Sequence, residues 1–142
     1  MNPEEKRQHL EFIQKFITRM NTNSFQLKGV AIIMMSASLA IYASTDEVIF
    51  IFLAILPTLL FWFLDSYYLQ KERKFRGVYD DVTGLKNVIK VKPYEMPIHK
   101  YTKEVDNQYS YFNVLFSNTI FYLYLAIILF LMIMGLAIEI FV

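Results

Sequence analysis

The apolar positions of this chain gather into three long runs instead of recurring at helical or strand spacing throughout. The runs are Val30–Ser44 (Phe25–Ser44 with its polar start), Val48–Leu64 and Val114–Ile138. A helix needs about 20 mostly apolar residues to cross the hydrocarbon core of a bilayer. The third run meets that length alone, and the first two meet it with their flanks. Val48–Leu64 and Ile120–Ile138 contain no charged residue. A soluble domain spreads its apolar residues at period instead of concentrating them in this way. The pattern predicts an all-α integral membrane protein with three transmembrane helices.

The flanking segments carry a different pattern. Residues 3–22 read as an amphipathic helix, with Pro3 in the first turn and Glu4 and Glu5 where the helix dipole favours acids. Leu10, Ile13, Phe16, Ile17 and Met20 line its apolar face. That face suits the inner leaflet of a membrane or the polar segment of the same chain, and the sequence leaves both open. Asn21-Thr22-Asn23-Ser24 offers caps for a following, separate helix.

The second apolar run does not stop at its polar end. Leu64, Tyr68, Phe75, Tyr79 and Val82 continue a stripe with no proline to interrupt it. Glu72 precedes Arg76 by one helical turn, the favourable order for an ion pair. One helix is therefore expected from Asp46 to Asp81, reaching roughly 25 Å beyond the bilayer at 1.5 Å per residue and ended by Thr83-Gly84. Val88–Lys92 reads as a short strand, and Pro93 and Pro97 enforce extended or turn structure. Asn107–Asn118 is expected to begin the last helix. The resulting segments are an amino-terminal helix over 1–24, a transmembrane hairpin over 25–66, a cytoplasmic helix extension and loop over 67–112, and a third transmembrane helix over 113–142.

Charge gives this arrangement an orientation. All 14 lysines and arginines lie before the first apolar run or between the second and third, and the Asp46-Glu47 turn has none. Basic residues are retained on the cytoplasmic side. The distribution predicts a bacterial inner (plasma) membrane protein, multi-pass, with a cytoplasmic amino terminus and an exterior carboxyl terminus. The net charge of +1 and the interspersed acids argue against a nucleic-acid partner. The first 29 residues carry eight charges and no apolar core, unlike a cleaved signal peptide. The absence of cysteine excludes disulfides and thiolate metal sites.

Several positions stand out for function. Asp65 directly follows Phe61–Leu64, at the inner edge of the second span, where a carboxylate is costly unless hydrated or paired. Lys28 and Arg19 fall at a similar level and are candidate partners. An ion pair is one expectation for Asp65, and a ring of carboxylates at the mouth of an oligomeric pore is the other. Ser36, Ala40 and Ser44 recur every fourth residue and form a small-residue seam, expected to meet the second span of the same chain. Pro57 is expected to kink the second helix. Trp62, Tyr67, Tyr68, Tyr109 and Tyr111 fit an interfacial aromatic belt. Glu139 lies near the exterior end.

Enzymatic chemistry finds little purchase. Two histidines, four glycines and no metalloprotease, nucleophile-elbow or phosphate-loop arrangement are present. Asp80-Asp81 reads as the polar end of a helix. No catalytic residue, cofactor or metal is expected.

The segments Arg19-Met-Asn-Thr-Asn-Ser-Phe-Gln-Leu-Lys-Gly29 and Leu64-Asp-Ser-Tyr-Tyr-Leu-Gln-Lys-Glu-Arg-Lys-Phe-Arg76, followed by Tyr79-Asp80, resemble a family of small uncharacterised bacterial inner-membrane proteins. The resemblance covers about residues 5–85 and implies a paired-helix membrane module with a cytoplasmic continuation; it implies no activity. In architecture alone, the chain also resembles membrane effectors of bacterial antiviral defence systems, which oligomerise and compromise the inner membrane. Two functions are thereby expected. One is a homo-oligomeric pore or defence effector acting on membrane permeability in the lipid bilayer. The other is a membrane anchor or regulatory subunit recruiting a cytosolic protein partner through residues 66–112.

Overall fold

The computed structural model describes residues 2–141. It is all-helical, with no strand among the described residues. The main elements are α1 (Pro3–Thr45), α2 (Ile49–Leu53), α3 (Ile55–Thr83), α4 (Tyr111–Leu115) and α5 (Asn118–Phe141). Single 3₁₀ turns at Ile98–Lys100 and Asn107–Tyr109 punctuate the loop between α3 and α4. Three helical stretches, in α1, in α2 with α3, and in α5, are long and apolar enough to cross a membrane.

The chain divides into two compact units. A polar unit comprises Met1–Ser24 and Ser66–Val114, and an apolar unit comprises Phe25–Asp65 and Leu115–Val142.

In the polar unit, the amphipathic face of α1 packs on α3 and on the loop that follows it. Ile13, Phe75, Val78, Val82, Tyr101 and Tyr109 form the core, with Leu10, Ile17 and Met20 against it. Phe16 stacks on Phe75 at 5.1 Å between ring centres. Of the two placements the sequence left open for this face, the structure thus has the one against the chain's own polar segment. The helix of residues 3–22 does not end at Asn21–Ser24; α1 runs unbroken for 43 residues. Residues suited to capping do not stop a helix by themselves. Four such residues cost only a few tenths of a kcal/mol each in helix propensity, whereas a break would orphan several backbone donors and acceptors.

The end of α3 is set by Gly84, whose φ of +87° is left-handed and whose N–H donates to the Asp80 carbonyl at 3.1 Å. The expected strand at Val88–Lys92 is not formed. The Asp81 carboxylate instead accepts the N–H groups of Val88 (2.9 Å) and Ile89 (3.1 Å), satisfying donors that have no neighbouring strand. Tyr101 completes this anchor by donating its hydroxyl to Asp81 at 2.6 Å. The last helix also differs from expectation. A 3₁₀ turn and α4 precede it, and α5 starts at Asn118, with the Ser117 carbonyl accepting from Ile120 and Phe121.

In the apolar unit, Ala31, Ile51, Ala54, Ile120, Ile127 and Leu131 are buried. Asp46, with φ of +57°, closes α1 by donating its N–H to the Tyr42 carbonyl at 2.8 Å. The helix expected from Asp46 starts at Ile49 and is interrupted at Ala54, so α2 and α3 are separate elements. The interruption lies three residues before Pro57, whose missing N–H leaves the Leu53 carbonyl without its usual helical donor. Phe52 lies over Gly135 of α5, where a Cβ would collide with its ring.

Candidate functional site

Asp65 is fully buried within the apolar unit, and its Oδ2 lies 2.7 Å from Lys28 Nζ. Tyr124 donates its hydroxyl to the same oxygen at 3.1 Å. One member comes from each of α1, α3 and α5, so a single polar cluster ties the three long helices together. Lys28 is the only basic residue of this unit and retains 21% exposure. A buried charge of either sign is costly alone, whereas the pair is neutral and its oxygen is hydrogen-bonded. Within the single chain the carboxylate presents no exposed surface. Its geometry is that of an internal ion pair. Arg19, the other candidate partner of Asp65, sits exposed on α1 in the polar unit.

Trp62 reinforces the same region. Its indole N–H donates to the Leu115 carbonyl at 3.0 Å at the end of α4. Its ring stacks near-parallel to Tyr124 and lies within 5.8 Å of Phe121 between centres. Trp62 therefore packs against α5 instead of standing free in a belt. Tyr109 also leaves the expected belt; it is 4% exposed, in the core of the polar unit, edge-on to Tyr101. Burial in that core pushes the Tyr101 hydroxyl well above the usual tyrosine range, and the bond to Asp81 adds to the shift.

The small-residue seam is placed differently from expectation. Ser36, Ala40 and Ser44 are all exposed, while Ser38 on another face of α1 donates to the Phe50 carbonyl. The seam is not used against the second apolar helix, because the contact with α2 falls on Ser38 instead. The Ser36 and Ser44 hydroxyls are satisfied by Ile32 and Ile41 carbonyls of their own helix. Glu72 and Arg76 do pair, with Arg76 Nη2 2.7 Å from Glu72 Oε1. Glu139 and His99 are exposed.

No sequence motif marks His9 as a site residue. It is completely buried beside Ile13, and its Nε2 lies 2.9 Å from the Glu95 carbonyl. Tyr94, with φ of +60°, donates its hydroxyl to Gln8 at 2.9 Å from the same loop. His9 and Gln8 thus clasp Pro93–Pro97 to α1. The only advance signal was that His9 stands one turn before Ile13 on the apolar face.

The polar unit also holds a cavity of about 530 Å³. Arg73, Arg76 and Asp80 of α3 line it, with Lys86 from the loop and Gln14 and Thr18 from α1. No group of His, Cys, Asp and Glu residues suited to a metal occurs among the described residues. Among known proteins, the chain matches no family model, no curated protein and no solved structure.

Proposed function

We propose that this chain is a three-span protein of the bacterial inner membrane whose polar unit faces the cytoplasm and recruits a cytosolic protein partner. One observation carries this reading. Thirteen of the 14 basic residues belong to the polar unit, and the fourteenth, Lys28, is neutralised by Asp65. Cytoplasmic retention of basic residues then orients the whole chain. The apolar unit serves as the anchor, and its buried ion pair supports that role by linking all three long helices. The polar unit has its own core and a loop clasped to α1, while Leu85 and Val88 remain 76% and 58% exposed. Exposed apolar side chains on a folded platform suit a protein partner.

Because the chain has no cysteine, single-cysteine labelling tests the orientation directly. In intact cells, an impermeant thiol reagent should label Glu47→Cys and should label Lys103→Cys only after permeabilisation. The opposite pattern overturns the orientation. Recovery of a cytosolic partner on crosslinking should fall with Leu85→Asp/Val88→Asp; unchanged recovery overturns recruitment through this loop.

A second reading, self-assembly that alters membrane permeability in the manner of a defence effector, is favoured by the exposed Ser36-Ala40-Ser44 face. Each chain's polar cluster is enclosed, so a pore would have to form between copies.

A further inference from the structure

We propose that the cavity of the polar unit binds a phosphate-bearing small molecule of about nucleotide size. This inference concerns the polar unit alone and does not depend on its recruiting a protein. The volume of about 530 Å³ lies in the range of small-molecule sites. Three cations, Arg73, Arg76 and Lys86, converge on it, and Asp80 is the carboxylate of its lining. With Glu72, the partner of Arg76, counted as well, the site remains cationic.

Each cation is presented differently. Arg73 is held by bonds from Nη1 to the Gln108 carbonyl at 3.2 Å and to Asn113 Oδ1 at 3.0 Å. Those bonds use both hydrogens of Nη1 and hold the guanidinium charge at the wall of the cavity. Arg76 directs Nε and Nη2 to one oxygen of Glu72, at 2.8 and 2.7 Å, and its side chain is 59% exposed. Lys86 lies 3.8 Å from Asp80, beyond hydrogen-bond distance, and is 45% exposed. It can turn its ammonium to an anion without breaking a short contact. Tyr79 also lines the cavity, and its hydroxyl accepts from Gln14 at 3.3 Å. Two guanidinium groups and a half-exposed lysine match a multiply charged anion better than a single carboxylate. Ile17 and Tyr109 complete the lining.

The test uses the full-length protein in detergent, titrated calorimetrically with ATP and with pyrophosphate, and the same protein in nanodiscs with and without phosphatidylglycerol. Saturable binding of ATP or pyrophosphate is expected. Lys86→Gln alone should weaken it about tenfold, the loss of one charge-assisted bond, and Arg76→Gln/Lys86→Gln should weaken it further. Lys103→Gln, outside the cavity, should leave the affinity unchanged. Lys86→Gln touches neither Glu72 nor the Arg73 contacts, so its effect is readable even if the double variant folds poorly. If only phosphatidylglycerol is bound, with the same sensitivity to Lys86→Gln, the phosphate is that of a lipid headgroup and the site stands. Absence of saturable binding to all three probes, or binding indifferent to Lys86→Gln, overturns the proposal.

Discussion

Lys28 Nζ and Asp65 Oδ2 meet at 2.7 Å, with the aspartate side chain wholly enclosed and the lysine side chain partly exposed. The asymmetry predicts unequal costs. Removing the cation strands a buried carboxylate; removing the carboxylate leaves a flexible lysine that can turn outward. Lys28→Met should therefore destabilise by about 3 kcal/mol and Asp65→Asn by about half as much. Replacing both, as Lys28→Met/Asp65→Leu, should return stability to within about 1 kcal/mol of the parent. Thermal unfolding in detergent, followed through Trp62 fluorescence, measures all three. Equal and small losses in both single variants would remove the ion pair from the account of stability.

Two helical glycines are predicted to respond in opposite directions to the same substitution. A Cβ on Gly77 would overlap the Tyr109 hydroxyl and the Tyr101 ring, whereas Gly29 has nothing within 4 Å of that position. Gly77→Ala should cost about 1–3 kcal/mol by overpacking the tyrosine pair. Gly29→Ala should gain up to about 1 kcal/mol from backbone entropy alone. A gain at Gly77 would mean that the two tyrosines do not pack against α3 as described.

Tyr101 gives the polar unit an alkaline limit. Burial and the Asp81 carboxylate raise the pKa of its hydroxyl above the usual tyrosine range. For a group whose folded pKa is raised, the contribution to stability is complete below the unfolded value and is lost as pH rises through the folded one. The contribution of Tyr101 should thus be constant up to about pH 10 and decline above it. Tyr101→Phe should reduce stability at neutral pH by roughly 1–2 kcal/mol through the lost bond to Asp81. It should also flatten the alkaline decline. Hydrogen exchange at Val88 and Ile89, whose N–H groups share the Asp81 carboxylate, reports both effects.

What could be read in advance follows from the range of each interaction. The three long apolar helices were legible because length and composition alone define them. The need of Asp65 for a partner was legible because a carboxylate ending an apolar run cannot stand alone. Tyr124 was not, since a tyrosine within an apolar run gives no sign of which helix it will face. The continuity of α1 was hidden because Asn21–Ser24 reports a local bonding alternative and not whether the chain takes it. Tyr101 and Tyr109 were hidden for a different reason. They come from a polar loop whose fold depends on Asp81, a residue that by itself reads only as a helix end. The cationic cavity combines Arg73, Lys86 and Gln14, which are distant in sequence and share no motif.

The exposed face of α1 supplies a last prediction. Among apolar helices surrounded by lipid, close association depends on small side chains and satisfied polar groups. Ser36, Ala40 and Ser44 meet both conditions, since the two hydroxyls donate within α1 at 3.0 and 2.9 Å. If copies of the chain assemble through this face, Ala40→Cys should give disulfide-linked dimers in membranes under mild oxidation. Ala31→Cys, at a position buried inside the apolar unit, should remain monomeric. The natural absence of cysteine makes each variant a single-site reporter. Ala40→Leu should then reduce crosslinking from an adjacent Ser36→Cys by opening the helix spacing. Monomers alone from both Ala40→Cys and Ser36→Cys would mean that lipid covers this face, and the permeability reading would lose its support.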